Sequence, residues 1–344
     1  MRYFLRILDG SGTRAASFNP RLSEMGLDSI ARPPGPMTLG RQLKIALDET
    51  RLLILGAQVL FGFQFNGIFQ QLFDELPFVA RALCCAGLTL LMLSLGLLIA
   101  PSMEHRISER GQDSPRVLVL ATVFGGLALL PIALALAFDL FVAMERIAGA
   151  TAGIVAAAGF FTLSMAFWYA LEFLLKRKKP PMPEAEPTPI ETQVDQLLTE
   201  ARVIIPGAQA LLGFQLTVVL TRVFEQLPST SKAAHAAALC CIALAVILLM
   251  APASLHRLAF GGQDDAEFLK IGSVFVVLAP IPLALGIALD TYVAAGRALE
   301  SQMGAVVLAS VAILALSVLW YAFPLWKRMT QRRGRPWAPS STRR

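Results

Sequence analysis

The sequence of 344 residues is poor in charge and in the residue types from which catalytic and metal sites are built. Charged residues make up 16% of the chain, against 56% hydrophobic residues and a mean hydropathy of +0.62. Globular domains usually contain about 25% charged residues, so a soluble helical protein of this composition would have too little polar surface. The three histidines, His105, His235 and His256, form no convincing metal-ligand cluster. No nucleophile–base set or phosphate-binding loop is apparent. We therefore expect no enzymatic activity, no cofactor and no metal.

Cysteine is also scarce, and its placement argues against disulfides. The four cysteines form two adjacent pairs, Cys84-Cys85 and Cys240-Cys241, each inside an apolar stretch. Neighbouring side chains on a helix project about 100° apart and do not bridge comfortably. We interpret these cysteines as small apolar packing residues.

Long stretches of the chain contain almost no charged residues. A membrane-spanning helix needs about 20 mostly apolar residues, and its backbone amides must be satisfied within the segment. Eight windows meet this length, near residues 52–73, 79–101, 117–138, 151–175, 203–224, 234–255, 271–290 and 303–326. The sequence therefore predicts an all-α polytopic membrane protein with eight transmembrane helices.

The distribution of the cations predicts an orientation. With eight spans and both ends on one side, 25 of the 30 Lys and Arg residues fall in the tails and loops of that side. The positive-inside rule then places both termini in the cytoplasm. A basic rim of this kind is attracted to anionic lipid, so the lipid bilayer explains the pI of 9.4 without a nucleic-acid partner.

The chain also repeats itself at an offset of 151 residues without gaps for nearly a hundred residues. The segments Gly56-Ala57-Gln58 and Gly62-Phe63-Gln64 return as Gly207-Ala208-Gln209 and Gly213-Phe214-Gln215. Each repeat holds four predicted spans, and an even number returns the chain to its starting side. The two repeats are therefore predicted to be parallel and related by a pseudo-twofold axis along the membrane normal, as a pseudo-dimer within one chain.

These features divide the chain into five segments. The proline-rich junction between the repeats is expected to be extended, and Leu43–Arg51 and Val194–Arg202 are expected to form short interfacial helices. The segments are a mobile cytoplasmic N-terminal tail (1–43), a first four-helix repeat (44–175), a Pro- and Lys-rich cytoplasmic linker (176–194), a second four-helix repeat (195–326) and a basic cytoplasmic C-terminal tail (327–344).

The repeated pattern resembles a known family. Gly-Ala-Gln is followed by Gly-Phe-Gln, by Phe near Leu-Pro, and later by Pro-x-x-x-His-Arg. This is similar to a bacterial family of small four-helix membrane proteins catalogued as a domain of unknown function, some of whose members carry automated sodium:proton antiporter names. The resemblance covers roughly 44–175 and 195–326 and is closer in the second repeat, where Pro206 replaces Leu55. It implies the topology and a bacterial inner membrane, and it implies no established activity.

Four glutamines are candidate intramembrane polar sites, namely Gln58, Gln64, Gln209 and Gln215. Amides inside a membrane are costly unless bonded, so they should face protein or water. Six residues at about 100° each place the two glutamines of one span about 120° apart. We expect one to face its own bundle and the other to face the repeat interface. They serve either as interhelical hydrogen-bonding groups or as the lining of a permeation path.

Two aspartates, Asp139 and Asp290, occupy equivalent positions near the predicted outer interface. Acids near a membrane pathway are functional candidates, here as an entry site for a cation or proton. The alternative is an aspartate at a helix end that pairs with Arg146 or Arg297, seven residues further along the chain.

A third duplicated motif lies in predicted cytoplasmic loops. It consists of His105, Arg106 and Asp113 in the first repeat and of His256, Arg257 and Asp264 in the second. The imidazole or guanidinium is expected to bond the following Gln-Asp turn, and a His at such an interface can titrate near neutrality. The alternative is a rim anchor with an ordered loop.

Two classes of function remain open. One is a transporter-like permease for a small ion or solute, and the other is a non-transporting membrane scaffold or envelope-maintenance protein. Proton-coupled cation transport usually needs an acid deep in the membrane, and no predicted span has one near its centre. This argues against an antiporter.

Overall fold

The computed structural model describes residues 38–170, residue 174 and residues 187–333. No described residue lies in a strand. Eight helices in these ranges are long and apolar enough to cross a membrane, which confirms the all-α polytopic fold. In chain order they are the first span Leu39–Ile68, the second Phe78–Ile107, the third Pro115–Ala148, the fourth Ala150–Ala170, the fifth Ile190–Val219, the sixth Ser229–Leu258, the seventh Ala266–Leu299 and the eighth Gln302–Gln331.

The helices extend beyond the predicted repeat boundaries. The first span begins at Leu39, inside the predicted tail, and the fifth begins at Ile190, inside the predicted linker. The fifth span starts directly after Pro189, because no helix-breaking residue follows until Pro206, which the helix accommodates. The two predicted interfacial helices are thus the first turns of long spans. The predicted tail and linker residues 1–37, 176–186 and 334–344 lie outside the described residues.

Proline distinguishes the third span from its counterpart, the seventh. The third span runs unbroken through Pro131. The seventh is interrupted at Ala279, where Pro280 and Pro282 follow within three residues. Each proline removes a backbone donor and crowds the preceding turn, so two in succession break a helix that one only perturbs.

The fourth and eighth spans each contain a π-helical turn with a Trp-Tyr pair. The Tyr169 hydroxyl donates to the carbonyl oxygen of Gly126 at 2.6 Å, and the Tyr321 hydroxyl donates to that of Val277 at 2.8 Å. The tyrosines therefore fasten the last span of each repeat to its third span by the same contact.

The two Trp-Tyr pairs correspond only at an offset one residue larger than the rest of the repeat. The second repeat has its extra residue in the connection before its last span. Gly149 alone joins the third and fourth spans, whereas Glu300 and Ser301 join the seventh and eighth. The repeat thus keeps its structural register despite the insertion.

The first and fifth spans pack along a pseudo-twofold axis. Residues that are equivalent in the two repeats meet each other at three points along the seam. The pairs are Lys44 Nζ with Asp195 Oδ2 at 2.8 Å, the rings of Phe63 and Phe214 with centroids 4.6 Å apart, and Asn66 Nδ2 with Thr217 Oγ1 at 2.8 Å. A twofold axis parallel to two helices brings each residue close to its own counterpart, so the predicted parallel arrangement of the repeats is confirmed.

The packing around this axis is closed on one side and open on the other. On the closed side, the second span packs against the seventh and eighth spans. Trp320 is fully buried there, and its indole nitrogen donates to the carbonyl oxygen of Gly96 at 3.0 Å. Among the described residues, the sixth span makes no comparable contact with the third and fourth spans.

The reason for this asymmetry is visible in single residues. A Cβ atom at Gly96 would lie 2.9 Å from Leu319 Cδ1, so glycine is what lets the eighth span approach. The counterpart of Gly96 is Ile247, which is 63% exposed and would hold an approaching helix away. In the most apolar stretch of the fourth span only 6% of the residues are buried.

Candidate functional site

Each repeat contains a glutamine–aspartate pair near the end of the bundle that holds residues 69–77 and 220–228, here called the distal end. Gln64 of the first span donates through Nε2 to both carboxylate oxygens of Asp139 in the third span, at 2.7 and 2.8 Å. Gln215 donates in the same way to Asp290 Oδ2 at 2.6 Å. The structure thus brings together two pairs of predicted site residues and repeats the contact in both halves.

The aspartates are not held by the arginines that follow them, so the helix-end interpretation is wrong. Arg146 binds Glu75 at 2.7 Å, and Arg297 binds Asp74 at 2.9 and 3.0 Å. Seven residues correspond to about 10 Å along a helix. The arginines therefore reach the acidic turns beyond the helix ends and leave the aspartates to the glutamines.

Neither aspartate has a strongly basic partner. In the part of the chain that the structure describes, no lysine or arginine forms an ion pair with Asp139 or Asp290. Asp290 is fully buried, and its Oδ1 atom has no hydrogen-bond partner among these residues. An ionised carboxylate in such surroundings is expensive unless a proton or a cation neutralises it.

The second repeat closes its pair with aromatic and imidazole rings. His235 Nδ1 lies 3.8 Å from Asp290 Oδ1, and its Nε2 is 3.0 Å from the carbonyl oxygen of Gln215. Phe65 from the first span stacks on the His235 ring with centroids 5.8 Å apart. The ring beside this pair therefore belongs to the same repeat, and the ring that packs on it comes from the opposite repeat.

The first repeat leaves its pair open. Cys84 stands where the second repeat has His235, and Leu216, the counterpart of Phe65, is 54% exposed. A pocket of about 290 Å³ lies beside Asp139 and Gln64. Its remaining wall is mostly apolar, with Phe63, Ile68, Phe73, Leu76 and Val142.

The other two glutamines behave differently from each other. Gln58 is buried at the repeat interface, where a Cβ atom at Gly207 would overlap its amide. Both polar atoms of this amide lack a hydrogen-bond partner among the described residues. Gln64 faces its own bundle, so the predicted division of roles is confirmed in the first repeat. In the second repeat Gln209 is exposed instead.

At the opposite, proximal end of the bundle, the His-Arg motif of the first repeat joins the two repeats. His105 Nδ1 lies 2.8 Å from Glu200 Oε1, and Arg106 Nε donates to Glu200 Oε2. All three side chains are almost completely buried. Sequence reasoning missed Glu200 as a partner, although it lies in the repeated segment. Its counterpart, Glu49, is exposed.

The Gln-Asp turns of the two loops also differ. In the first repeat Gln196 Nε2 donates to Asp113 Oδ1 at 2.8 Å, so this turn too binds the fifth span. The predicted approach of the imidazole to the turn occurs only in the second repeat, where His256 Nε2 is 3.3 Å from Asp264 Oδ1. Arg257 beside it is exposed. The first motif is therefore an inter-repeat contact and the second a local one.

The residues that the structure describes form neither a cluster of metal ligands nor a disulfide. No group of three or more His, Cys, Asp or Glu side chains is placed there to hold a metal ion. The four cysteines are free, with Cys85 buried and Cys240 exposed.

One family matches the chain, and it does so twice. The match is to the Family of unknown function (DUF6328), over residues 37–172 and again over residues 184–324. The two matches coincide with the two repeats and confirm the tandem duplication. Neither a curated protein nor a solved structure matches the chain.

Proposed function

We propose that this chain, which belongs to the Family of unknown function (DUF6328) through both of its repeats, is a membrane permease for a small cation. Its eight apolar helices identify it as an integral membrane protein. The two glutamine–aspartate pairs are its cation sites.

One observation carries the proposal, namely the duplicated carboxylate that has no arginine or lysine partner in the described chain. Burying an unpaired charge costs several kcal/mol, whereas a bound cation or proton removes that cost. A carboxylate kept only for stability would be expected to pair with one of the arginines at the same end. Instead the arginines that follow the two aspartates, Arg146 and Arg297, bind Glu75 and Asp74.

The different accessibility of the two glutamine–aspartate pairs also supports a permease. One pair opens into a pocket, and its equivalent is covered by His235, on which Phe65 of the other repeat stacks. The buried amide of Gln58 lies six positions before Gln64 on the first span, about 9 Å closer to the proximal end. It is a polar group at the repeat interface to which a cation leaving Asp139 could pass.

The test is cation flux in proteoliposomes that contain the purified chain and a pH-sensitive or cation-sensitive dye. Gradients of Na⁺, K⁺ and protons are applied to the wild type and to a variant with Asp139→Asn and Asp290→Asn. Flux above that of empty liposomes, abolished in this double variant, is the expected result.

The matched control carries Asp74→Asn and Glu75→Gln, which remove two acids at the same end that are paired with arginines. This control should retain flux. Wild-type traces that equal those of empty liposomes for every cation would refute the permease.

The second candidate is a non-transporting membrane scaffold or envelope-maintenance protein. It is supported by the buried contact of His105 and Arg106 with Glu200, in which a duplicated polar motif serves assembly. If the glutamines serve assembly in the same way, Gln64→Leu with Gln215→Leu, which removes the hydrogen bonds to the aspartates, should lower thermal stability and alter no flux.

We also propose a bacterial inner membrane as the location, with both termini in the cytoplasm. The support is the charge distribution, with 25 of 30 cations on the side of the termini. We propose no enzymatic role and no nucleic-acid partner, and the bilayer is the expected partner of the basic rim.

A further inference from the structure

We propose that the pocket beside Asp139 binds one primary organic ammonium ion with a compact apolar body. This inference names the substrate class of the proposed permease and rests on that function for the role of the carboxylate. The binding itself is tested separately from any transport.

The polar part of the pocket consists of acceptors that need N–H donors. The Gln64 amide donates through Nε2 to both oxygens of Asp139. Its carbonyl oxygen, Oε1, is buried and has no hydrogen-bond partner in the described chain. The carboxylate retains free lone pairs, and an ammonium group carries several N–H donors. An ammonium in the pocket beside Gln64 and Asp139 supplies donors for these acceptors.

The backbone of the second span helps to fix this arrangement. A Cβ atom at Gly87 would lie 2.9 Å from Gln64 Nε2 and 3.3 Å from its Oε1. The glycine therefore lets the amide lie close against the helix. It holds the amide in position for both Asp139 and a ligand.

The walls of the pocket favour an organic ion over a divalent metal cation. A hard divalent cation takes about six oxygen ligands, whereas among the lining residues only Gln64 and Asp139 have side-chain oxygens. Phe63, Phe73 and Val142 offer apolar and aromatic surface instead. A volume of about 290 Å³ is enough for a small aromatic or branched amine.

The second repeat provides a comparison within the same chain. Asp290 has the equivalent glutamine partner, but His235 stands beside it at the position where Cys84 lines the pocket, and Phe65 stacks on the His235 ring. The structure therefore assigns one ammonium site to each chain, in the first repeat.

The experiment measures binding of phenethylammonium to the purified full-length chain in nanodiscs by titration calorimetry. Two analogues serve as comparators, namely the N,N,N-trimethylated ion, which has no N–H donor, and phenethyl alcohol, which has no charge. The expected result is one site per chain, with both analogues binding at least about tenfold more weakly, as expected for a lost charge-assisted hydrogen bond.

Three variants locate the site. Asp139→Asn should weaken binding at least about tenfold, whereas Glu75→Gln, which removes an exposed acid paired with Arg146 at the same end, should leave the dissociation constant unchanged. Cys84→His installs the residue of the second repeat and should abolish binding by filling the pocket. Thermal unfolding is measured for each variant, and if Asp139→Asn does not fold, the Cys84→His variant carries the test.

The proposal is overturned if the trimethylated ion binds as well as the primary amine, if Glu75→Gln has the effect expected of Asp139→Asn, or if no amine binds. In the last case, flux of inorganic cations in proteoliposomes would leave the permease standing. Amine binding without flux of inorganic cations or of phenethylammonium itself in proteoliposomes would reject the permease and leave the ammonium site standing.

Discussion

Glu200→Gln is predicted to be among the most destabilising single changes at the repeat interface. Glu200 accepts from both His105 and Arg106, and all three side chains are almost completely buried. Removing one partner of a buried ion pair leaves an uncompensated charge, here that of Arg106, and costs about 3–5 kcal/mol. The substitution keeps the side-chain volume, so the cost comes from electrostatics and hydrogen bonding and not from a cavity.

The assay is thermal unfolding of the purified chain in one detergent, followed by circular dichroism. At about 2–4 °C per kcal/mol, a loss of this size lowers the midpoint by at least about 6 °C. The matched control is Glu49→Gln, the same change at the equivalent position of the first repeat, where the side chain is exposed. Exposed substitutions usually stay within about 0.5 kcal/mol, so this variant should unfold like the wild type.

The reasoning would be refuted by similar midpoints for the two variants. That result would mean that Arg106 finds water or another acceptor when Glu200 is neutral, and that the contact does not hold the repeats together. A loss in both variants would point to the sequence motif itself and against the asymmetry between the repeats.

Two further changes test the seams between the repeats. Gly207→Ala places a methyl group on the amide packed against it and should cost about 1–3 kcal/mol by overpacking, whereas Gly56→Ala, with open space at its Cβ position, should be neutral or slightly stabilising in a thermal unfolding assay. Trp320→Phe removes the indole donor to Gly96 and should cost at least about 0.5–1.5 kcal/mol, whereas Trp168→Phe, in the more exposed fourth span, should cost less when both are compared by unfolding midpoint. Equal losses within either pair of variants would contradict the observed packing.

Much of the candidate site could be approached from the sequence, because its components follow simple geometry. The glutamines of the first span diverge by about 120°, and that angle is enough to send Gln64 to its own bundle and Gln58 to the repeat interface. The partner of Asp139 was harder to predict. Arg146 is near in sequence, whereas Gln64 is 75 positions away, and only the packing of the first and third spans joins them.

The amino-acid sequence by itself determined the class of the protein. A chain that crosses a bilayer needs long apolar helices whose backbone groups bond within the helix, and such helices can be recognised from long apolar stretches in the sequence. The repeat offset and the even number of spans then required parallel halves, and the pairing of equivalent residues along the first and fifth spans agrees.

Only the tertiary structure showed which of the equivalent positions in the two repeats form a pocket or an inter-repeat contact. The substitutions that separate them, Ile247 for Gly96 and His235 for Cys84, are plain in the sequence. Their consequence depends on which helix approaches from the opposite repeat. Gly96 matters because the eighth span packs against it. For the same reason the open pocket at Asp139 and the buried contact at Glu200 emerge only when the spans are packed.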